Sequence, residues 1–494
     1  MELPLPEVLQ TVAQFLPSCK DFFAFVHAIP QSHLTRPLQN LLDLAKQIDP
    51  LELWPAPIGI DDITDEDIIS LIQPTLCLYP SITFELIHDS FFDHLIPSTN
   101  VHLKHILYHP KQFDIILTHY RQYTTTLGLD LIENSSRQYT PSDIKQLSHA
   151  LPQLPKLENL RFDVMVSWDS SVLDCLLSAV HFLHLKSLKL NFMEHNGVID
   201  YDSVRYLAQC IHIPFLENIK LYGLSVPSND ICIARALINS LTLKSISLRN
   251  CNFINHFFQL GGHLPKQLKR LIVHFSESID LEMVAQTIAD SNVQEIEFVF
   301  QSDQVFQTNG VHTLTTTIAN LKHIKSLALG RLQFDETSIQ SLTQIIPRLG
   351  TLRLQQNGIT LEFLKQIATV LPTSSHLHTV QLSHQNIGNE GATALSAALN
   401  DRNLKLYLNG NDIGPLGAES LTSVLDKSLI LNLDDNPLEE EGCLTLINYL
   451  VDHEDTECAL SISNTRMNHS NGLACWYALQ DLAPRISCLF SIAR

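Results

Sequence analysis

The strongest constraint on this chain is a pattern written several times between about residues 349 and 450. Leu352-Arg353-Leu354-Gln355-Gln356-Asn357-Gly358-Ile359, Leu406-Tyr407-Leu408-Asn409-Gly410-Asn411-Asp412-Ile413 and Leu431-Asn432-Leu433-Asp434-Asp435-Asn436-Pro437-Leu438 share it. In each, leucines alternate over a short strand, an Asn follows, and an apolar residue comes two places later. Alternation with period two puts those leucines on one face. A four-residue strand cannot bury them alone, so the copies must stack on one another. Asn357, Asn411 and Asn436 stand where the chain leaves the strand, a place where a short amide bonds to backbone. In the copy at Val380-Gln381-Leu382 that place falls to Gln385, which predicts a looser corner. Gly391, Gly417 and Gly442 each come four residues after the apolar anchor, at the start of a helical pattern, where a small residue permits close packing.

Degenerate copies extend the pattern backward and forward. Strand centres fall at Leu129, Phe162, Leu190, Leu221, Leu248, Val273, Phe298, Leu329, Leu354, Leu382, Leu408, Leu433 and Ile462. The first and last are 333 residues apart over twelve steps, about 28 per repeat. Helical patterns fill the intervals. The series resembles the leucine-rich repeat of the long, ribonuclease-inhibitor type. That resemblance implies an α/β solenoid, a horseshoe with a parallel concave sheet and convex helices, over residues 125–467. Residues 468–494, with Trp476 and Tyr477, are expected to form a helical cap.

The N-terminus has a different pattern. Residues 34–124 show apolar residues at helical spacing over Leu34–Ile48, Asp65–Leu78, Ile82–Ile96 and Val101–Tyr123, separated by prolines, so an all-helical domain is expected there. His102, His105 and His109 would share one face of the last helix. Within residues 1–33, Leu5, Val8, Leu9, Val12, Phe15 and Leu16 make one helical face. Pro17 breaks it, and Phe22, Phe23, Phe25, Val26 and Ile29 make a second. This stretch resembles an F-box: a Leu-Pro start, a Glu, an apolar helix, a Leu-Pro break, then Lys20-Asp21 before apolar residues. The resemblance implies that Leu5, Pro6, Leu9, Val12, Leu16, Phe22 and Val26 pack within the box or touch a ubiquitin-ligase adaptor. The chain departs from the family where Pro6 and Glu7 are adjacent and where His27-Ala28-Ile29-Pro30 replaces a basic ending. The alternative is a pair of helices that only cap the neighbouring domain.

Charge limits the partners. Against 52 acidic residues stand 32 basic ones, a net charge of −20, which disfavours nucleic acid or an anionic membrane. The ten cysteines show no paired spacing, as expected of reduced thiols. No secretory leader and no apolar run of membrane length is visible, so a cytoplasmic protein is expected. Nucleotide-binding, nucleophile-elbow and zinc-protease motifs are all absent. Neither an enzyme nor a cofactor or metal is therefore expected.

The face positions of the strands are uneven. Arg161, Lys189 and Lys220 take the same place in three successive repeats, with Arg249 and Arg270 close to it in the next two. This row predicts a site for an acidic, unidentified protein target. The bland alternative is that neighbours such as Asp163 or Glu158 already pair these charges. Together the two resemblances imply a substrate receptor that brings a target to a cullin-type ubiquitin ligase. Such proteins also occur among effectors that intracellular bacteria deliver into hosts, which would place this one in host cytoplasm. The competing expectation is a leucine-rich binding or regulatory protein with no ligase link.

Overall fold

The computed structural model describes residues 6–465, apart from 56–64, 88–90, 133–139, 166–169, 193–196, 302–308, 400–402, 454–457 and the single residues 229, 427, 429 and 464. Leu5 and the expected cap at 468–494 lie outside the described residues. The chain divides into two compact units, 1–236 and 237–494.

The first unit opens with helices. Helix α1 is Pro6–Gln14 and α2 is Cys19–Ala28, where Ser18 caps by accepting from the Asp21 N–H at 3.3 Å. Short helices α3 (Arg36–Leu44), α4 (Pro50–Leu53) and α5 (Glu66–Ile72) come next. Buried aromatics tie the first pair to the rest. Phe22 stacks on Trp54 with ring centroids 3.9 Å apart. Trp54 Nε1 donates to the Leu16 carbonyl at 2.7 Å, and the Tyr79 hydroxyl donates to the Leu53 carbonyl at 2.8 Å.

Helix does not continue to residue 124. Ser81–Phe84 is strand β1 and Asn100–Leu107 is strand β2, where helices were expected. Strands β3 (Thr124–Ile132), β4 (Asn159–Met165), β5 (Ser187–Phe192) and β6 (Asn218–Tyr222) come after them. Each of the first five pairs in parallel with the next, and helices occupy the connections from β2 onward. Between β2 and β3 the register slips, because Lys104 and His105 together oppose Gly128. His105 takes a left-handed conformation in that bulge, at φ 56°.

The second unit repeats the plan with nine parallel strands: β7 (Ser245–Arg249), β8 (Arg270–Phe275), β9 (Glu295–Phe300), β10 (Ser326–Gly330), β11 (Thr351–Gln355), β12 (Thr379–Ser383), β13 (Lys405–Tyr407), β14 (Ile430–Asn432) and β15 (Ala459–Ser461). The sequence-derived centres meet in register. Leu129, Phe162, Leu190 and Leu221 pair across the first unit. Leu248, Val273, Phe298, Leu329, Leu354 and Leu382 do so across the second. The leucines at 352, 354, 406, 408, 431 and 433 are fully buried.

The asparagine corners explain why the repeat specifies one register. Asn411 is fully buried; its Oδ1 accepts from the Gln385 N–H at 2.7 Å, and its Nδ2 donates to the Leu382 and Leu408 carbonyls at 2.5 and 2.8 Å. Asn436 Oδ1 accepts from the Asn411 and Ile413 N–H groups, and its Nδ2 donates to the Leu408 carbonyl at 3.0 Å. Asn357 serves Leu332 N–H and the Leu329 carbonyl in the same manner. Each amide thus satisfies backbone of the preceding repeat, where an orphaned group would cost about 1–3 kcal/mol. Gln385 fills its turn only in part. Its Oε1 accepts from the Asn357 and Ile359 N–H groups at 3.0 and 3.4 Å, but its buried Nε2 has no hydrogen-bond partner among the described residues. The extra methylene carries the amide nitrogen past the carbonyls that asparagine reaches, which is the looser corner the sequence predicts. At Gly417 a Cβ would lie 2.6 Å from Ile413 Cγ2 and 2.7 Å from Asn389 Oδ1, so the small residue is required for close packing.

Candidate functional site

On the described N-terminal helices, the expected adaptor residues separate into three groups. Leu9, Phe22 and Val26 are buried, Pro6 and Leu16 are half-buried, and Val12 is 44% exposed. The open apolar face of α1 is instead Val8, Val12 and Phe15, the last being 81% exposed. A patch formed by Leu9 and Phe22 is not present, because Trp54 and the first helical face use both for packing. Spacing alone cannot tell which side of a short helix a later aromatic will cover.

The basic row is aligned as expected within the first unit: Arg161 pairs in register with Lys189, and Lys189 with Lys220. Its exposure differs from expectation. Only 27% of the Arg161 side chain and 23% of the Lys189 side chain are exposed, because both turn onto Asp163. Arg161 contacts the Asp163 carboxylate through Nη2, and Lys189 Nζ is 3.4 Å from its Oδ1. Asn191 Nδ2 donates to that oxygen at 2.6 Å. The Lys189 ammonium also lies 5.4 Å from the Tyr222 ring centre. Glu158 pairs with Lys186 rather than with the row.

Two further residues complete a cluster that spacing did not single out. Arg161 Nη1 donates to His105 Nε2 at 2.7 Å, and His105 Nδ1 lies 3.5 Å from Asp130 Oδ2. Asp130 Oδ1 has no hydrogen-bond partner among the described residues. Burial, then the neighbouring Asp163 carboxylate, raises the Asp130 carboxyl above its ordinary range. Burial acts on Asp163 in the same sense, but the Asn191 and Arg161 hydrogen bonds with the Lys189 and Arg161 charges outweigh it, so Asp163 is lowered. His105, Asp130 and Asp163 bring potential ligand atoms within 4.8 Å of one another. Arg161 already bridges His105 and Asp163, and Lys189 adds a second positive charge, so no metal is assigned there. Asp130 and Asp163 share one position in successive repeats, a signal the sequence did contain; His105 does not, because the bulge displaces it.

In the second unit Arg249 and Arg270 are also paired. Arg249 Nη2 is 3.5 Å from Glu297 Oε1, and Arg270 Nε is 3.1 Å from Glu295. Glu297 also accepts from His274 Nε2 at 2.6 Å. That hydrogen bond outweighs burial, and with the His274, Arg249 and Arg353 charges it lowers the Glu297 carboxyl. Beyond it the face carries Ser, Asn and Asp side chains that bond to one another. Ser383 donates to Asn409 Oδ1 at 2.7 Å, and Ser461 to Asp434 at 2.8 Å.

Parallel strands, intervening helices and buried asparagine corners define a repeat protein of the leucine-rich type. Comparison with known proteins adds a relative and a neighbour. The bovine (Bos taurus) "NACHT, LRR and PYD domains-containing protein 9" is 23% identical over 336 residues, 63% of this chain. The match spans 32% of that relative, so the chain covers about a third of its length. The solved structure of the Rad7 and Elc1 complex in yeast covers 78% of this chain and 82% of its own, at 13% identity and a TM-score of 0.36, too loose a likeness to carry an argument. No family model matches. Among the described residues, no helix is long and apolar enough to cross a membrane.

Proposed function

We propose that this chain is a non-catalytic binding protein that holds an acidic segment of a target protein on the strand face of its first unit. The observation that carries the reading is the adjacent row of Arg161, Lys189 and Lys220 on a chain of net charge −20. Neighbouring strands lie about 4.8 Å apart, so the three cations stand close enough to form one basic stripe on that face. Arg249 and Arg270 lie in the second unit, each held by a glutamate, and form no part of this site. The test is retention of a target from lysate by the full chain and by Lys189→Glu with Lys220→Glu. Loss of a retained protein in the double variant, and its release between 0.1 and 1 M salt, are expected, as the Debye length falls from about 10 to about 3 Å. Retention indifferent to both sinks the site.

The finer reading, an F-box-like receptor that recruits the target to a cullin-type ligase, rests on the resemblance of residues 1–33 and on the exposed stripe Val8, Val12 and Phe15. Exposed apolar stripes of this kind mark partner sites. Purified adaptor should be retained by the parent chain and lost from Val12→Asp with Phe15→Ser, which leaves the buried Leu9 and Phe22 alone. No retention by the parent leaves α1 and α2 as a cap and removes the ligase role.

A further inference from the structure

The strand face of the first unit is not flat. At the starts of β2, β3 and β4 it holds a cleft of about 490 Å³, lined by Asn100, His102, Thr125, Leu157, Asn159 and His184 among others. That volume lies in the range of sites that take a ligand. A second register slip lies in its wall. Val101 pairs with Thr124 and His102 with Thr126, so Thr125 is an extra residue, and both threonines after Thr124 are left unburied. Asn100, His102 and Asn159 alternate with the buried Val101, Leu103 and Leu160, so they share the face of the basic row. Asn159 precedes Arg161 by two residues, about 7 Å along the strand. The cleft therefore adjoins the Arg161 end of the row and runs on toward β2. Its chemistry differs from that of the row. The two charged groups at its rim are already engaged: Glu158 pairs with Lys186 at 2.7 Å, and Lys156 Nζ donates to the Pro97 carbonyl at 3.0 Å. The neutral groups keep free atoms. Asn159 Nδ2 donates to Thr126 Oγ1 at 3.2 Å, and His102 Nδ1 bonds to the same oxygen at 2.8 Å. Asn159 Oδ1, His102 Nε2 and the Asn100 side-chain amide have no hydrogen-bond partner among the described residues. His184 adds a flat ring, set against that of Phe215 with centroids 5.5 Å apart.

We infer that this cleft is an anchor pocket for a tyrosine side chain carried beside the acidic run of the bound segment. This rests on the reading of that face as the target site. An electrically satisfied cleft next to a basic stripe fits an uncharged side chain next to acidic ones. The His184 ring gives an aromatic body a flat surface to lie on. A phenol hydroxyl both donates and accepts; it meets an acceptor in Asn159 Oδ1 and either partner in the Asn100 amide. Aromatic anchors seated in pockets carry much of the energy of an interface, while charges steer and orient the partner. The placement also orders the segment. Its acids lie over β4 to β6, where Arg161, Lys189 and Lys220 stand, and its tyrosine lies past one end of that run, over β2 and β3.

The test uses the full chain and a fluorescently labelled peptide of four aspartates, flanked on each side by a glycine and a tyrosine so that its direction does not matter. Two further peptides carry alanine or phenylalanine in place of both tyrosines. Binding is read by anisotropy. The tyrosine peptide should bind on the order of tenfold more tightly than the alanine one, with the phenylalanine one between. Raising salt from about 0.05 to about 0.3 M should weaken all three and leave their ratios standing, because the anchor is uncharged. Asn100→Trp fills the cleft from an exposed position and should bring the tyrosine peptide down to the alanine one, whose own binding stays unchanged. Asn159→Ala should bring it down to the phenylalanine one. Equal binding of the three peptides by the parent, or a tyrosine preference intact in both variants, overturns the pocket and leaves the face as a site. Phenylalanine bound as tightly as tyrosine overturns the assignment of the phenol. No binding of any peptide by the parent, or undiminished binding by Lys189→Glu, overturns the reading of the face itself.

Discussion

The two units share a strand plan and place their polar groups on it in opposite ways. In the first, the face centres on two carboxyls, and one of them, Asp130, keeps an oxygen with no hydrogen-bond partner among the described residues. In the second, Glu297 has His274 and Arg249 bound to it and Arg353 nearby, and Glu295 and Asp434 have partners of their own. The corners differ too. Three places after the strand centres Leu129, Phe162 and Leu221 stand Ile132, Met165 and Leu224, whereas from Leu354 onward that place holds Asn357, Gln385, Asn411 and Asn436. The first unit therefore holds its corners by apolar packing and leaves its face electrostatically unsettled. The later repeats of the second hold theirs by buried amides and have a settled face. Binding function is easier to place on the unsettled one.

Substitutions can break this contrast. Asn411→Ala leaves the Gln385 N–H and the Leu382 carbonyl without their side-chain partner, and should cost on the order of 3–5 kcal/mol. Hydrogen exchange should accelerate at Gln385, while β3–β5 keep their protection; unchanged exchange would remove the ladder as the source of order. Gly417→Ala forces a Cβ against Ile413 and Asn389 and should cost about 1–3 kcal/mol in the same segment. A neutral result there means that the helix start yields more readily than its contacts suggest.

The carboxyls should respond with opposite signs. Glu297 lies below the ordinary glutamate range, so its stabilisation is present at neutral pH and is lost as pH falls through that lowered value. Glu297→Gln should lower stability at pH 7 by about 2 kcal/mol, the scale of a hydrogen bond to a charged group, with the gap closing below about pH 4. Asp130 lies above its ordinary range, so stability falls as pH rises through that raised value. Asp130→Asn should therefore be more stable than the parent at pH 7, with the advantage fading in acid. Melting profiles for both variants that shift in the same direction at pH 7 would end the comparison. The smallest effect belongs to Gln385→Asn. The shorter amide should recover the missing carbonyl contact and add about 1 kcal/mol, measured as delayed exchange at Asn357 and Ile359.

The strand register from Leu129 onward was legible because buried leucines recur at period two and Asn closes the corner. The first two strands were not. In β2 the buried residues are Val101, Leu103 and Ile106, and the two-residue bulge widens the last gap from two to three. With Leu107 next to it, the segment shows apolar residues at i, i+3 and i+4, the spacing of a helix. The same bulge hid His105 from any reading by register. Asp130 and Asp163 were visible as a repeated position. That Asp130 would face a histidine, while Asp163 takes Arg161 and Lys189, depends on four strands at once.

The amide ladder also dictates how the second unit comes apart. Asn436 serves backbone at 408, 411 and 413, Asn411 serves 382 and 385, Gln385 serves 357 and 359, and Asn357 serves 329 and 332. Stripping the last repeat therefore exposes unpaired groups in the one before it, and the penalty passes back step by step. In a linear array of repeats such nearest-neighbour coupling favours long blocks that melt together over single repeats that fray. The stretch from Leu329 to Leu438 should thus behave as one cooperative block, with its weakest internal joint at Gln385.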